Sequence, residues 1–391
     1  MENNWKEVKL GKFIKVKHGF AFPGTHITDQ ETDQVLVTPG NFHIGGGFKN
    51  NKFKYFNSND YPESYILKEG DIVVTMTDLS KESDTLGYGA KIPRNNKVKF
   101  LHNQRVGLVE FKDEKEIHYD FVYWVLRTRS YQGYVVGSAS GTSIMHTSPS
   151  RIEDYDFFLP PLPEQKAIAS VLSSLDDKID LLHQQNQTLE ALAETLFRQW
   201  FVEEAKEDWE EGKLGDAIEI FDSQRIPLSN MERDKKKDGT LYPYYGAAKI
   251  MDYINDYIFD GEYILFAEDG TVQTTEGYPV LQYAIGKFWV NNHTHVIKAK
   301  APYNNFFLLN YLRKKNIELY ITGAVQPKIN QANLKSIDFP KFPLDKVSEF
   351  IKLTNQYFDK INLNNTQIQT LTQLRDTLLP KLMSGEVRVK V

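Results

Sequence analysis

The stretch that decides the fold is Pro163 to Phe201, PEQKAIASVLSSLDDKIDLLHQQNQTLEALAETLFRQWF. Ile168, Leu172, Leu175, Ile179, Leu182, Asn186, Leu189, Ala193, Leu196 and Trp200 follow in alternating steps of four and three. That spacing keeps one helical face turned to a partner, heptad after heptad, as in a coiled coil. Pro160, Pro161 and Pro163 suit an extended entry and a first helical turn. Glu164 suits the positive end of the helix dipole. At about 1.5 Å per residue, such a helix extends on the order of 57 Å.

The same stretch returns later in the chain. Residues 151–201 placed over 333–383, a shift of 182 without a gap, share 15 of 51 positions. Among the shared residues are Asp177/Asp359, Lys178/Lys360, Ile179/Ile361, Leu181/Leu363, Gln185/Gln367, Thr188/Thr370, Leu192/Leu374, Thr195/Thr377 and Leu196/Leu378. The second copy keeps the seam at Phe350, Tyr357, Ile361, Ile368, Leu371, Leu378 and Leu382, interrupted by Asn364 and Arg375. Polar seam residues weaken a coiled coil but fix register and partner. The shift also pairs Gly141 with Gly323 and Trp124-Val125-Leu126 with Phe306-Phe307-Leu308. The domain starts match at a different offset, 204: Trp5-Lys6-Glu7-x-Lys9-Leu10-Gly11 against Trp209-Glu210-Glu211-x-Lys213-Leu214-Gly215. The chain is therefore a duplication, domain–helix–domain–helix. If the halves are related by a two-fold axis, the helices run antiparallel with a domain at each end.

The expected fold class is α+β: two globular mixed α/β domains separated by two long antiparallel coiled-coil helices in a pseudo-two-fold repeat. The expected boundaries are residues 1–158 for the first domain and 159–205 for the first helix. Residues 206–340 form the second domain, and 341–391 the second helix with a C-terminal tail. Strands are expected at 71–77, 53–56, 106–110, 262–267 and 296–299, and short helices at 119–131 and 303–315.

Composition excludes several classes. With 391 residues, 24 Phe, 21 Tyr and 5 Trp, the chain can bury two cores and is not of disordered type. It has no cysteine, so disulfides, thiolate catalysis and cysteine-ligated zinc are ruled out. No apolar run approaches the roughly 18 residues of a membrane span, and the first residues do not resemble a signal peptide. A cytoplasmic protein without membrane contact is expected. The net charge of −5 does not itself suggest nucleic acid. Residues 5–150 hold 19 Lys and Arg against 16 Asp and Glu, whereas 163–207 hold 4 against 9.

The sequence contains no phosphate-binding loop, no dinucleotide fingerprint and no Asn/Asp-Pro-Pro-aromatic segment. Gly137-Ser138-Ala139-Ser140-Gly141 has Ala139 where a nucleophile would stand; it reads as a polar loop whose amides could touch a phosphate. His293-x-His295 reads as a strand edge rather than a metal site, and no metal is expected. Residues 233–237 (Arg-Asp-Lys-Lys-Lys) are a charged loop, either solvated or on phosphate, and Gly45-Gly46-Gly47 is a turn. Polar, planar and basic residues on loops are the candidates for reading base edges. In the first domain these are Lys17, His18, Arg94, Lys97, Asn103, Gln104 and Arg105. In the second they are Gln224, Arg225, Tyr244, Tyr245, Lys249, Gln326 and Lys328. Each could equally serve the fold.

Several motifs resemble the DNA-specificity subunits of type I restriction–modification enzymes. They are the Trp-x-x-x-x-Leu-Gly domain starts, Leu159-Pro160-Pro161-Leu162-Pro163-Glu164-Gln165, Thr195-Leu196-Phe197-x-x-Trp200-Phe201, and Lys381-Leu382-Met383-Ser384-Gly385-Glu386-Val387. Tyr242-Pro243-Tyr244-Tyr245-Gly246-Ala247, followed by Gly261 to Gly270, is similar to the recognition-domain pattern. Leu344-Asp345-Lys346 departs from the family's Pro-Glu-Gln helix entry. The resemblance implies a subunit without catalysis of its own, whose two domains each read half of a split, asymmetric site on double-stranded DNA. The N-terminal domain would read the 5′ half. It further implies two modification subunits carrying S-adenosylmethionine and two restriction subunits using ATP and Mg, with no cofactor in this chain. An alternative is the targeting subunit of a solitary adenine methyltransferase or another DNA-modifying defence system.

Overall fold

Heptad spacing becomes helix over Leu162–Arg198 and again over Leu344–Ser384. The computed structural model describes residues 5–78, 84–112, 115–141, 144–205, 209–323 and 325–390. The chain divides into two units. The first comprises Met1–Leu181 with Gln367–Val391, and the second Leu182–Thr366. Each unit thus holds one domain, part of the first long helix and part of the second.

In the first unit, a four-stranded antiparallel sheet runs in the order Ile14–His18, Val106–Phe111, Ile72–Thr75, Gly89–Lys91. A second sheet runs Ile27–Thr28, Lys54–Phe56, Gln34–Val37, Lys99–His102, Ile66–Leu67, with Gln34–Val37 and Lys99–His102 parallel. The helix expected over 119–131 breaks into Tyr119–Val125 and Arg129–Gly137. The break comes because the Thr128 hydroxyl accepts from the Tyr131 amide and caps a new helix. Trp124, Phe121, Leu10 and Ile72 form the core with Ile168 and Leu172 of the first long helix and Leu379 and Leu382 of the second. Trp5 Nε1 donates to Glu164 at 3.1 Å, and Arg388 Nη2 donates to the same carboxylate at 2.7 Å. Glu164 therefore sits in the positive first turn and holds both flanking segments.

In the second unit, one sheet runs Ile218–Ile220, Thr294–Ala299, Phe259–Ala267, Leu281–Val290, Tyr242–Tyr245, Ile250–Ile254. The helix expected over 303–315 is Asn305–Leu312, capped by Asn304. Phe197 and Phe201 pack with Phe307, Phe342 and Phe350. Phe197 lies 5.6 Å from Phe350, ring to ring, and Asn186 meets Asn364 at 2.8 Å. Residue numbers rise along one helix as they fall along the other, so the pairing is antiparallel.

The expected seam lies inward. Ile168, Leu172, Ile179, Leu182, Phe350 and Ile361 are buried; Leu175, Leu189, Leu196, Tyr357, Ile368, Leu371 and Leu378 are half-buried. Its polar interruptions are answered across the pair. Asn364 Nδ2 donates to Asn186 Oδ1, and Asn186 Nδ2 donates to Asn365 Oδ1, each at 2.8 Å. Arg375 Nη1 donates to Asp176 Oδ1 at 2.7 Å, and the same carboxylate accepts from buried Arg127. Arg127 in turn donates to the Gly45 carbonyl at 3.0 Å and the Tyr123 hydroxyl at 2.9 Å. Gly45, Gly46 and Gly47 form the expected turn, all at positive φ (84°, 85° and 96°).

Candidate nucleic-acid interface

In the first unit the structure gathers five of the seven candidates. Strand Ile14–His18 pairs with Val106–Phe111, setting Lys17 opposite Leu108 and His18 opposite Gly107. The Gln104 amide donates to the Phe20 carbonyl at 3.0 Å, and the Phe20 amide donates to His102 at 2.8 Å. Gly19 allows this approach, because a Cβ there would fall 2.1 Å from the Asn103 carbonyl oxygen. Lys17, His18, Asn103, Gln104 and Arg105 thus share one sheet end. His18, Gln104 and Arg105 are exposed there, while Lys17 donates to the Ser64 carbonyl at 3.2 Å. Asn103 is a correction: it is 8% exposed and its Oδ1 accepts from the Arg105 amide, so it shapes the turn. Arg94 and Lys97 lie exposed on the separate 93–98 connection, Arg94 3.9 Å from Glu69.

Beneath this end lies His102, wholly buried, with Nε2 against the Val106 carbonyl at 2.8 Å. Burial pushes the ring down to about 4, with Lys17 and His18 adding to the effect and the Val106 contact opposing it. The unfolded ring takes up its proton near pH 6.5, the folded ring only near 4. The stabilisation is complete above pH 6.5 and drains away as pH falls to about 4, on the order of 3 kcal/mol in all. His102→Gln is expected to flatten that limb of a plot of unfolding midpoint against pH. An unchanged slope would place the acid sensitivity elsewhere.

In the second unit the candidates fall into two groups. Arg225 and Lys328 meet at Glu268, at 2.7 and 3.2 Å, with exposed Gln224 and Gln326 beside them in sequence. Arg225 is a correction as a free base reader: its guanidinium also donates to the Thr294 carbonyl at 2.7 Å and lies 3.6 Å from Asp222. His295 is buried in the same cluster, Nδ1 2.6 Å from Asp222 and Nε2 2.8 Å from the Ile329 carbonyl. Burial pushes the Asp222 carboxyl up, but His295, the Val296 amide and Arg225 outweigh it and hold the group below the usual carboxylate range. Asp222, Glu268 and His295 stand near enough to share a cation. Arg225 already occupies that role, with half-exposed Lys328 at the solvent edge of Glu268, so the trio reads as an ion-pair network built on Arg225. His293 pairs with Asp269 at 2.8 Å instead.

The second group is the hairpin of Tyr242–Tyr245 and Ile250–Ile254. Tyr244 is also corrected: it is 1% exposed, and its hydroxyl accepts from the Leu228 amide at 3.0 Å. Tyr245 is half-buried edge-on to Phe288, and burial pushes its hydroxyl up to about 12. Lys249 is exposed at the turn. Residue type had not marked Met251 and Tyr253, which stand half in solvent on the same edge strand. Strand alternation beside Lys249 was their only signal. The charged run 233–237, expected as a loop, starts on the helix Asn230–Asp234 that Ser229 caps; Arg233 pairs with Asp252 at 2.9 Å and Lys236 with Asp256 at 2.7 Å.

Two α+β domains, each joined to a long helix and each presenting polar loops at sheet ends, define a duplicated reader. The family model for the type I restriction modification DNA specificity domain matches residues 2–191 and again 206–373. The chain belongs to this family, the DNA-specificity subunits of type I restriction–modification systems. It is similar to a type I restriction enzyme specificity subunit described in Haemophilus influenzae, 36% identical over 157 residues. That match spans 40% of this chain and only 39% of the relative. The MjaIX specificity subunit of Methanocaldococcus jannaschii is 26% identical over 310 residues, 69% of each chain. The crystal structure of the S subunit from M. genitalium matches 98% of both chains with a TM-score of 0.56 at 19% identity, a likeness of fold. Among the described residues, no helix is long and apolar enough to cross a membrane.

Proposed function

We propose that this chain aims a type I restriction–modification complex, each domain reading one half of a split, asymmetric DNA site. Two modification subunits carrying S-adenosylmethionine dock on its helices. Two restriction subunits add ATP- and Mg-dependent translocation and cleavage. The chain supplies address rather than bond-making, and acts in the cytoplasm.

One observation carries the proposal: over residues 178–196 the duplication kept one outer face of the helices whole and the inner seam only in part. Lys178, Leu181, Gln185, Thr188, Leu192 and Thr195 lie one residue before successive seam positions, about 100° round the helix. All six are identical at Lys360, Leu363, Gln367, Thr370, Leu374 and Thr377. The leucines among them are 45–51% exposed. Seam positions are kept less fully: Ile179/Ile361, Leu189/Leu371 and Leu196/Leu378 are shared, but Leu182/Asn364 and Ala193/Arg375 differ. An outer face repeated twice suits two copies of one partner. Domains that diverged suit two different half-sites.

Methylation mapping in cells expressing the chain with its partner subunits tests the reading. A two-part motif is expected. Exchanging residues 1–150 for those of another family member should change one half only, and lengthening the first helix should widen the unspecified gap. A change in both halves after the exchange would count against it.

A further inference from the structure

One loop has the same build in both units, although the sheets around it differ. Ser140 and His146 exchange a reciprocal backbone pair at 2.9 and 2.8 Å; Thr322 and Lys328 do the same at 2.8 Å each. The next residue is Gly141 in one case, at φ +118°, and Gly323 in the other, at φ +89°. A Cβ on Gly141 would fall 2.0 Å from the Ile144 carbonyl oxygen, and one on Gly323 2.2 Å from that of Gln326. No other residue fits either position without moving the backbone. Both loops return along the exit of a central strand: Thr147 donates to the Met76 carbonyl at 3.0 Å, and Ile329 to that of Glu268 at 2.9 Å.

The surroundings point to nucleic acid. The Met76 amide donates to the Arg105 carbonyl at 2.9 Å, so the first loop adjoins the cluster of candidate readers. Lys328 shares Glu268 with Arg225, beside Gln224, so the second does too. Side chains at matched positions differ where they could read bases, Ile144 against Gln326. They keep hydroxyls, Ser140 and Thr322, and polar nitrogens, His146 and Lys328. Hydroxyls, cations and backbone amides are the groups that hold phosphates without reading sequence. We infer that residues 140–141 with 144–146 in one unit, and 322–323 with 325–328 in the other, each clamp the DNA sugar–phosphate backbone beside its half-site, supplying affinity common to both halves and no sequence preference. This assignment rests on the DNA-reading role proposed above.

Lys328→Gln and Ser140→Ala in the full chain, assembled with its modification subunits, test it. Binding to a duplex carrying the mapped motif and to a scrambled duplex is measured across a salt series. Each variant is expected to weaken both duplexes by the same factor and leave the methylated motif unchanged. Lys328→Gln should also make the log–log salt slope shallower by about one. Ser140→Ala removes only a hydroxyl and guards against misfolding as the cause. An altered motif would make the loops base readers, and intact DNA binding with lost subunit assembly would make them protein contacts; either overturns the clamp. Unaltered binding beside a wild-type complex that selects its duplex overturns it as well. A wild-type complex indifferent to sequence would instead overturn the specificity role itself.

Discussion

Asp176→Ala is expected to destabilise the first unit by about 3–5 kcal/mol, because it strands a buried cation. The Arg127 side chain is 3% exposed, and Asp176 is its carboxylate partner. Arg375, 16% exposed, depends on the same group. The duplication supplies the control. At the shift of 182, Arg127, Asp176 and Arg375 correspond to Leu309, Phe358 and Ala193. The second unit has thus built the same place from apolar groups, with Phe358 packed 5.1 Å from Phe306, ring to ring. Replacing a buried ion group by a packed apolar one is often neutral or stabilising. The triple variant Arg127→Leu, Asp176→Phe, Arg375→Ala should therefore recover most of what Asp176→Ala loses. Denaturant unfolding of the full chain, followed by probes in each unit, reads both effects. A loss below about 1 kcal/mol for Asp176→Ala would show that Arg127 reaches water.

The second large effect concerns assembly. Leu192→Glu and Leu374→Glu place a charge at the centre of the two repeated outer patches, Thr188–Leu192–Thr195 in the second unit and Thr370–Leu374–Thr377 in the first. Both leucines are nearly half exposed and glutamate is a good helix former, so stability should move by no more than about 0.5 kcal/mol. Each single variant is expected to assemble with one modification subunit in place of two, and the double variant with none. Native mass spectrometry of the complexes counts them. If both single variants still take two subunits, the outer face is not the docking surface.

The long helices were legible in the sequence because their signal is periodic and repeated. Step spacing named the inward residues, and the ungapped repeat tied the second helix to the first. Asn364 and Arg375 read as flaws in the seam because their answers, Asn186 and Asp176, lie 178 and 199 residues away. Five strands were legible as short apolar runs, but Ile14–His18, Gln34–Val37, Lys99–His102 and Leu281–Val290 among others were not. The interface was only half legible. Arg225, Tyr244 and Asn103 have the chemistry of base readers, but Glu268, the Leu228 amide and the Arg105 amide engage them. Whether a polar side chain is free depends on such partners, and residue type does not disclose them. His295 looked like a strand edge and is a wholly buried member of an ion-pair network.

The asparagine pair also bears on which molecules can mix. Suppose the first helix met the first helix of another copy in the same antiparallel register. Leu182 would then stand where Asn364 stands and Ala193 where Arg375 stands. Asn186 would lose its amide partner Asn364 to a hydrocarbon side chain and find His183 in place of Asn365, and Asp176 would lose one of its two guanidinium neighbours. Divergence inside the seam therefore makes unlike halves the better match, and a chain finds its own second half before a stranger's first.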